Sequence, residues 1–274
     1  MIKTGGNMAD IDFVIKVETF INFLSKCRFD KLVVDLHLTI KDGKLFARFS
    51  DINRNLYCEV VETGIKIIQE GSINIVNLSK LTNLLERVNS DLCKLIANSD
   101  KFIIYDGIKA GCSKLTLTQL GDVEYVESYK NIKDIPNLFD QAKLLYAEKF
   151  QYQHGYEIPL DSLLMILKDA KAFGFEIYKF LEKDGMLMCS IEDKSLQESF
   201  VRNIITTSKI GTGVIPPTGV IVSTGFREML TALDKIKMED KSQKTIKLYF
   251  TDSSVLLTDG KTYFYNLHVA MQDK

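Results

Sequence analysis

Three histidines and five cysteines are a thin inventory for catalysis. His37 falls inside an apolar run from Leu32 to Leu38, His154 lies in a stretch read as a connector, and His268 is close to the C-terminus. No spacing groups them into a base–nucleophile pair or a set of metal ligands. Cys27, Cys58, Cys93, Cys112 and Cys189 are odd in number, widely spread and without a Cys-x-x-Cys pair. They read as small buried thiols of a reducing cytoplasm, not as a disulfide framework or a zinc site. The phosphate loop G-x-x-x-x-G-K-[ST], the zincin H-E-x-x-H and the nucleophile elbow G-x-S-x-G are absent. Ile210-Gly211-Thr212-Gly213-Val214 runs into Ile215-Pro216-Pro217 instead of a helix, so it reads as a loop and not as a dinucleotide cradle. Asp10-Ile11-Asp12 begins a strand on Phe13-Val14-Ile15, and Glu192-Asp193 is solvated charge at a strand end. No cofactor or metal is expected, and the chain reads as a scaffold or binding protein, not an enzyme.

The rest of the composition narrows the field. A chain of 274 residues has room for one large domain or two ordinary ones. With 46% hydrophobic and 26% charged residues it is an ordinary globular chain. Lys+Arg 35 against Asp+Glu 36 gives a net charge of -1, which argues against gripping nucleic acid over the whole surface but leaves room for a local basic patch. No apolar run approaches the roughly 18–20 residues that cross a bilayer. Residues 1–9 lack the apolar core of a signal peptide and are expected to be a flexible leader, which places the protein in the cytoplasm or nucleus and not in a membrane.

What the chain does show is a repeat. Lys41-Asp42-Gly43-Lys44-Leu45 and Lys183-Asp184-Gly185-Met186-Leu187 are Asp-Gly hairpin turns 142 residues apart, each followed by an apolar-rich strand. An amphipathic helix precedes each: Val17, Phe20, Ile21, Leu24 and Cys27 in the first half, Leu163, Ile166, Leu167, Ala170 and Phe173 in the second. A second helix follows each, lined by Leu78, Leu81, Leu85, Val88 and Leu92, and by Phe226, Met229, Leu230, Leu233 and Ile236. Each half closes on a hairpin, at Asp106-Gly107 and at Asp259-Gly260. Helices this few cannot cover both faces of a parallel sheet, and Asp-Gly hairpins imply antiparallel pairing. The expectation is a duplicated α+β fold: residues 10–120 and 157–274 as two similar domains, each a mainly antiparallel sheet with two helices on one face. Residues 121–156 form the connector, with Pro136 placed to start a short helix.

This order resembles the DNA sliding clamps, the family that includes proliferating cell nuclear antigen and the processivity clamps of tailed phages. The resemblance is carried by the run from Ile73 to Val88, by the Lys183–Leu187 hairpin, and by Tyr263-Phe264-Tyr265-Asn266-Leu267 as the last strand. It covers nearly the whole chain, from about Asp10 to Met271. A two-domain chain of this family closes into a trimeric ring around duplex DNA. The resemblance therefore implies a homotrimeric, viral or cellular processivity factor, placed on DNA by an ATP-dependent clamp loader and tethering a DNA polymerase. The alternatives are one subunit of a heterotrimeric checkpoint-type clamp, a clamp recruiting transcription or repair factors, or a two-domain α+β enzyme.

The resemblance also implies roles for particular residues. Helices would line the hole, with Lys26, Lys80, Arg87, Lys168, Lys171, Arg227 and Lys235 on their DNA-facing sides. Glu18, Glu86, Glu228 and Asp234 share those sides, so the positive excess is modest. The subunit interface would pair the strand of Leu115 and Leu117 with that of Phe200 and Val201. A pocket for partner peptides would form from Ile135, Leu138, Phe139, Tyr249, Tyr265 and Leu267.

Overall fold

The computed structural model describes residues 10–28, 33, 36–50, 56–75, 78–98, 101–109, 111–118, 154–193, 195, 197–211, 213, 215–222, 225–235, 244–250 and 254–268. β1 (Ile11–Lys16) buries Ile11, Phe13 and Ile15 and turns Asp12 and Val14 outward, the period-2 pattern of a half-buried strand. α1 (Val17–Arg28) follows directly, with Glu18 in its first turn and Lys26 and Arg28 in its last, charges that suit the helix dipole. Phe20 on α1 meets Phe13 edge-on at 5.8 Å, which seats the helix on the strand.

After α1 come β2 (Leu36–Lys41), β3 (Lys44–Ser50), β4 (Leu56–Glu62), β5 (Ile65–Gln69), β6 (Gly71–Ile75), α2 (Leu78–Leu85), β7 (Leu92–Ala97), β8 (Lys101–Tyr105) and β9 (Lys114–Thr118). The order then begins again with β10 (His154–Pro159), α3 (Leu160–Phe173), β11 (Ile177–Lys183), β12 (Met186–Asp193), β13 (Glu198–Asn203), β14 (Ser208–Gly211) and β15 (Val220–Val222). It ends with α4 (Gly225–Lys235), β16 (Thr245–Phe250), β17 (Ser254–Thr258) and β18 (Tyr263–His268). Strand, helix, five strands, helix, three strands therefore occurs twice. Strand neighbours repeat as well: β5-β1-β7-β8-β9 recurs as β14-β10-β16-β17-β18, and β6-β2-β3 as β15-β11-β12. The chain divides into two compact units, and Ser50–Glu59, the start of β4 included, groups with the second.

The hairpin turns have the geometry their sequence requires. Asp42 and Gly43 sit at φ 51° and 79°, and Asp184 and Gly185 at 53° and 75°. Two successive positive φ angles make the type I′ turn that matches strand twist. In each unit the two helices pack on one another, α1 on α2 and α3 on α4. α3 ends where Gly174 adopts φ 75° and its N–H reaches the Ala170 carbonyl at 2.9 Å.

Three placements differ from the sequence reading. α2 stops at Leu85, so Val88 lies beyond it and Leu92 opens β7. The Asp106 carboxylate accepts the N–H of Ser90 at 2.9 Å and that of Asn89 at 3.2 Å, holding the chain in a turn where the helix would have continued. Those donors hold the Asp106 carboxyl below its usual range. His154 belongs to β10, buried and stacked on Phe250 at 5.6 Å, rather than to a connector. Phe173, expected on the buried stripe of α3, is 49% exposed.

In the second unit a polar cluster ties two sheets together. Tyr156 on β10 donates its hydroxyl to Glu182 of β11 at 2.7 Å, and Lys209 of β14 reaches the other carboxylate oxygen at 2.6 Å. Burial opposes ionisation of Glu182, but the Lys209 and Tyr156 hydrogen bonds outweigh it and hold the carboxyl below its ordinary value. A depressed folded-state pKa stabilises the fold above the unfolded value of about 4.3, and that stability drains away as pH falls below it. Urea unfolding of Glu182→Gln should therefore show a loss of roughly 1 kcal/mol at pH 7 and a shallower decline in acid than the parent. Parallel pH curves for the two proteins would remove Glu182 from the acid response.

Candidate functional site

Two sheet edges are the first feature. Among the described residues β9 ends its sheet beside β8, and β13 ends the sheet β15-β11-β12-β13. Their backbone parity is fixed by single hydrogen bonds at the ladder ends. Ile204 N–H bonds to the Leu187 carbonyl at 2.8 Å, in register with the β12–β13 pairs. Alternate residues Arg202 and Phe200 then share the bonded phase toward β12, and the N–H groups of Ser199, Val201 and Asn203 point to the open edge. On the other strand Asp106 N–H bonds to the Ser113 carbonyl at 2.8 Å, in register with β8–β9. By the same parity Lys114, Thr116 and Thr118 present their N–H groups outward. Each edge thus offers donors and acceptors at every second residue.

The β13 edge is braced from the helix side. Arg202 forms a fork with Asp169 of α3, with Nη2 at 2.8 Å from Oδ1 and Nε on Oδ2. Phe200 stacks on Phe173 at 4.9 Å, and Phe173 on Phe175 at 5.6 Å. Val201, on the opposite side of the strand, is 51% exposed. Leu115 on β9 is half-buried, and the Leu117 backbone pairs with Phe102. Sequence reasoning named Phe200 and Val201 for this strand but gave no sign of the Asp169 contact or of the open side of Phe173. An aspartate one turn before the end of an amphipathic helix gives no sign that an arginine 33 residues later will reach it.

Basic residues on the helices are unevenly placed. Lys80 on α2 and Lys168 and Lys171 on α3 are exposed. Arg87 is exposed too, but in the turn after α2, where its N–H bonds to the Leu84 carbonyl at 3.1 Å. Arg227 on α4 is half-buried and 3.5 Å from Glu176. Lys235 closes α4, and its side chain lies outside the described residues. Lys26 departs from its expected place: it is buried in the last turn of α1, where its charge suits the helix C-terminus. Exposed Glu18, Glu86, Asp161 and Asp234 dilute the positive charge.

Of the residues expected for a peptide pocket, only Tyr249 has a described side chain. Tyr249 is half-buried on β16, opposite Leu256, with its ring against Gly155. Tyr265 pairs with Leu257 and Leu267 with Val255, the alternate row of β17. Ile135, Leu138 and Phe139 lie outside the described residues. Among the described residues no cluster of His, Cys, Asp and Glu could hold a metal ion, and no helix is long and apolar enough to cross a membrane.

No protein-family model and no curated protein sequence matches this chain. Solved structures do. The proliferating cell nuclear antigen of Entamoeba histolytica superposes with a TM-score of 0.69 at 12% identity, covering 96% of this chain and 100% of that one. The PCNA2–PCNA3 complex of Sulfolobus tokodaii gives 0.67 at 12% identity, with the same coverage. DNA polymerase III subunit beta of Borrelia burgdorferi gives 0.64 at 15% identity over 96% of this chain and 65% of that one. The fold is that of the sliding clamps.

The Asp169–Arg202 fork supports a measurable coupling. Both side chains keep some solvent contact, 13% and 27%, so a double-mutant cycle on Asp169→Ala and Arg202→Ala should return about 1 kcal/mol. Additive losses would mean that the pair does not brace β13.

Proposed function

We propose that this chain is the subunit of a DNA-encircling ring, a processivity clamp built from clamp domains 10–120 and 157–274 joined by residues 121–156. The observation that carries it is the pair of strands that stand at sheet edges among the described residues, β9 in the first unit and β13 in the second, on a duplicated clamp fold. Edge strands that stay open invite association, and regular ones this long are normally paired or covered. Pairing β9 of one copy with β13 of the next is a heterologous, head-to-tail contact, and such contacts close into a ring when the rotation allows. Three copies of a two-domain chain would give six similar domains.

A ring holds DNA by topology, so its lining needs little affinity. Each firm phosphate contact releases counterions and adds grip, and a strongly basic lining would resist sliding. Lys80, Arg87, Lys168 and Lys171 supply a weak, sequence-independent attraction of the kind phosphate contacts give. Work on DNA would come from partners: a polymerase tethered to the outside of the ring, and an ATP-driven loader that opens it. One of the similar structures is a complex of PCNA2 with PCNA3, so a ring mixing this chain with related ones is the second reading. Mass separates them. The purified chain should run as one species near three times 31.1 kDa, whereas a chain made for a mixed ring stays smaller until its partners are added.

Val201→Pro removes an outward-facing donor while leaving the ladder to β12 intact, so it should dissociate the assembly and leave the subunit folded. An unchanged mass in sedimentation, with unchanged melting, would move the joint away from β13.

Replacing Lys80, Arg87, Lys168 and Lys171 together with Ala should keep the assembly and reduce both retention on closed circular DNA and processive synthesis. The salt dependence of DNA binding should become shallower with each phosphate that is no longer neutralised. Full retention and an unaltered salt slope would show that these faces do not look at DNA.

A further inference from the structure

The sheet β15-β11-β12-β13 has two unlike faces. Tyr178, Phe180, Leu187, Cys189, Ile191 and Val220 fill the side packed beneath the helices of the second unit, and all are buried. The alternate residues face away. Register places Lys183 beside Met186, Leu181 beside Met188 and Asn203, and Lys179 beside Ser190 and Val201. The Ile204–Leu187 hydrogen bond carries the register one residue past β13, and Ile205 follows it directly.

This outward face is apolar where water would be expected to select polar residues. Ile205 is 70% exposed, Val201 51% and Met186 50%, with Leu181 and Met188 half-buried between them. Methionine side chains are long, flexible and polarizable, and adapt to differently shaped partners. Gly219 brings its backbone close against this face. It sits at φ +76°, and a Cβ there would come within 2.7 Å of both the Leu181 side chain and the Phe180 carbonyl, and 3.0 Å of the Lys179 stem.

Charge on this face is one-sided. Lys183 is exposed at the hairpin end beside Met186, and Lys179 lies one row behind Leu181. Among the described residues neither ammonium is joined to a carboxylate. The nearest acid in register on this face, Glu192, stands beside Ile177 and Ser199 at the far end. A second copy joined through β9 would meet the strand edge and would bring no carboxylate to this face, because β9, Lys-Leu-Thr-Leu-Thr, carries none. We propose that this face docks a segment of another protein that carries apolar anchors flanked by carboxylates, the anchors settling on Met186, Met188 and Ile205 and the acids on Lys179 and Lys183. The proposal does not depend on ring closure. It concerns a face of the sheet, whereas the joint uses the strand edge.

A fluorescein-labelled short peptide of alternating Leu and Glu, and its Leu/Lys counterpart, test it by anisotropy against the full chain. The acidic peptide should bind and the basic one should not. Met186→Ser with Ile205→Ser should weaken the acidic peptide by about tenfold or more. Lys179→Glu with Lys183→Glu should move the preference to the Leu/Lys peptide. All four positions leave the buried face alone, so melting curves should be unchanged. Equal binding of both peptides, no binding of either, or binding that survives both pairs of substitutions would overturn the proposal. So would a change of assembly mass in the Met186/Ile205 variant, which would assign the face to a copy of this chain. Peptide binding lost in Val201→Pro but kept in the Met186/Ile205 variant would place the peptide on the strand edge and sink the proposal equally.

Discussion

An antiparallel sheet that does not close on itself leaves a row of backbone donors and acceptors on each outermost strand, and water or another chain must satisfy them. Much of this molecule can be understood as management of those rows. β5 is blunted where its register with β1 slips between Asp12 and Phe13, stranding Ile68 in a bulge. β15 has three residues, and β14 four. Among the described residues β9 and β13, like β6, carry neither a bulge nor so short a strand. Their ladders to β8 and β12 run without a break, and β13 is held flat by the Arg202 fork and the Phe200 stack. An edge stiffened from behind loses less conformational freedom on pairing than a loose one, which favours association.

The helices are subject to a different constraint. Each must bury one stripe on the strands and leave the other in solvent, so the polar side of the pair α3 and α4 is free to vary in charge. Lys168 and Lys171 stand clear, while Arg227 is beside Glu176. A near-neutral total with a few unobstructed lysines is compatible with transient phosphate contact and poorly suited to tight binding.

Much of the fold was legible in the sequence because duplication makes weak signals repeat. Asp42-Gly43 alone would have said little; with Asp184-Gly185 at the same place in a second half it marks a domain plan. Helix stripes such as Leu163, Ile166, Leu167 and Ala170 were readable because each is a local period. What stayed hidden depended on contacts distant in sequence. The end of α2 is decided by Asp106, many residues downstream, capturing Asn89 and Ser90. Lys26 reads as a solvent residue on a helical wheel, yet the last turn is where a long aliphatic stem can lie down. The partners of β18, with Tyr265 opposite Leu257 and Leu267 opposite Val255, follow from strand register, which only the pairing itself reveals.

Parity on β13 has a consequence for how this region can change over time or be engineered. Because strand side chains alternate with period 2, the same phase that turns Val201 outward also decides which peptide groups meet the open margin. A single residue inserted between Asp193 and Glu198, and not absorbed by the loop, would exchange both at once: Phe200 would leave its stack, and a different set of N–H groups would be offered. Length changes that the connection does not absorb are tolerated there only in pairs. An epitope or fluorophore loop grafted at that connection should therefore add an even number of residues.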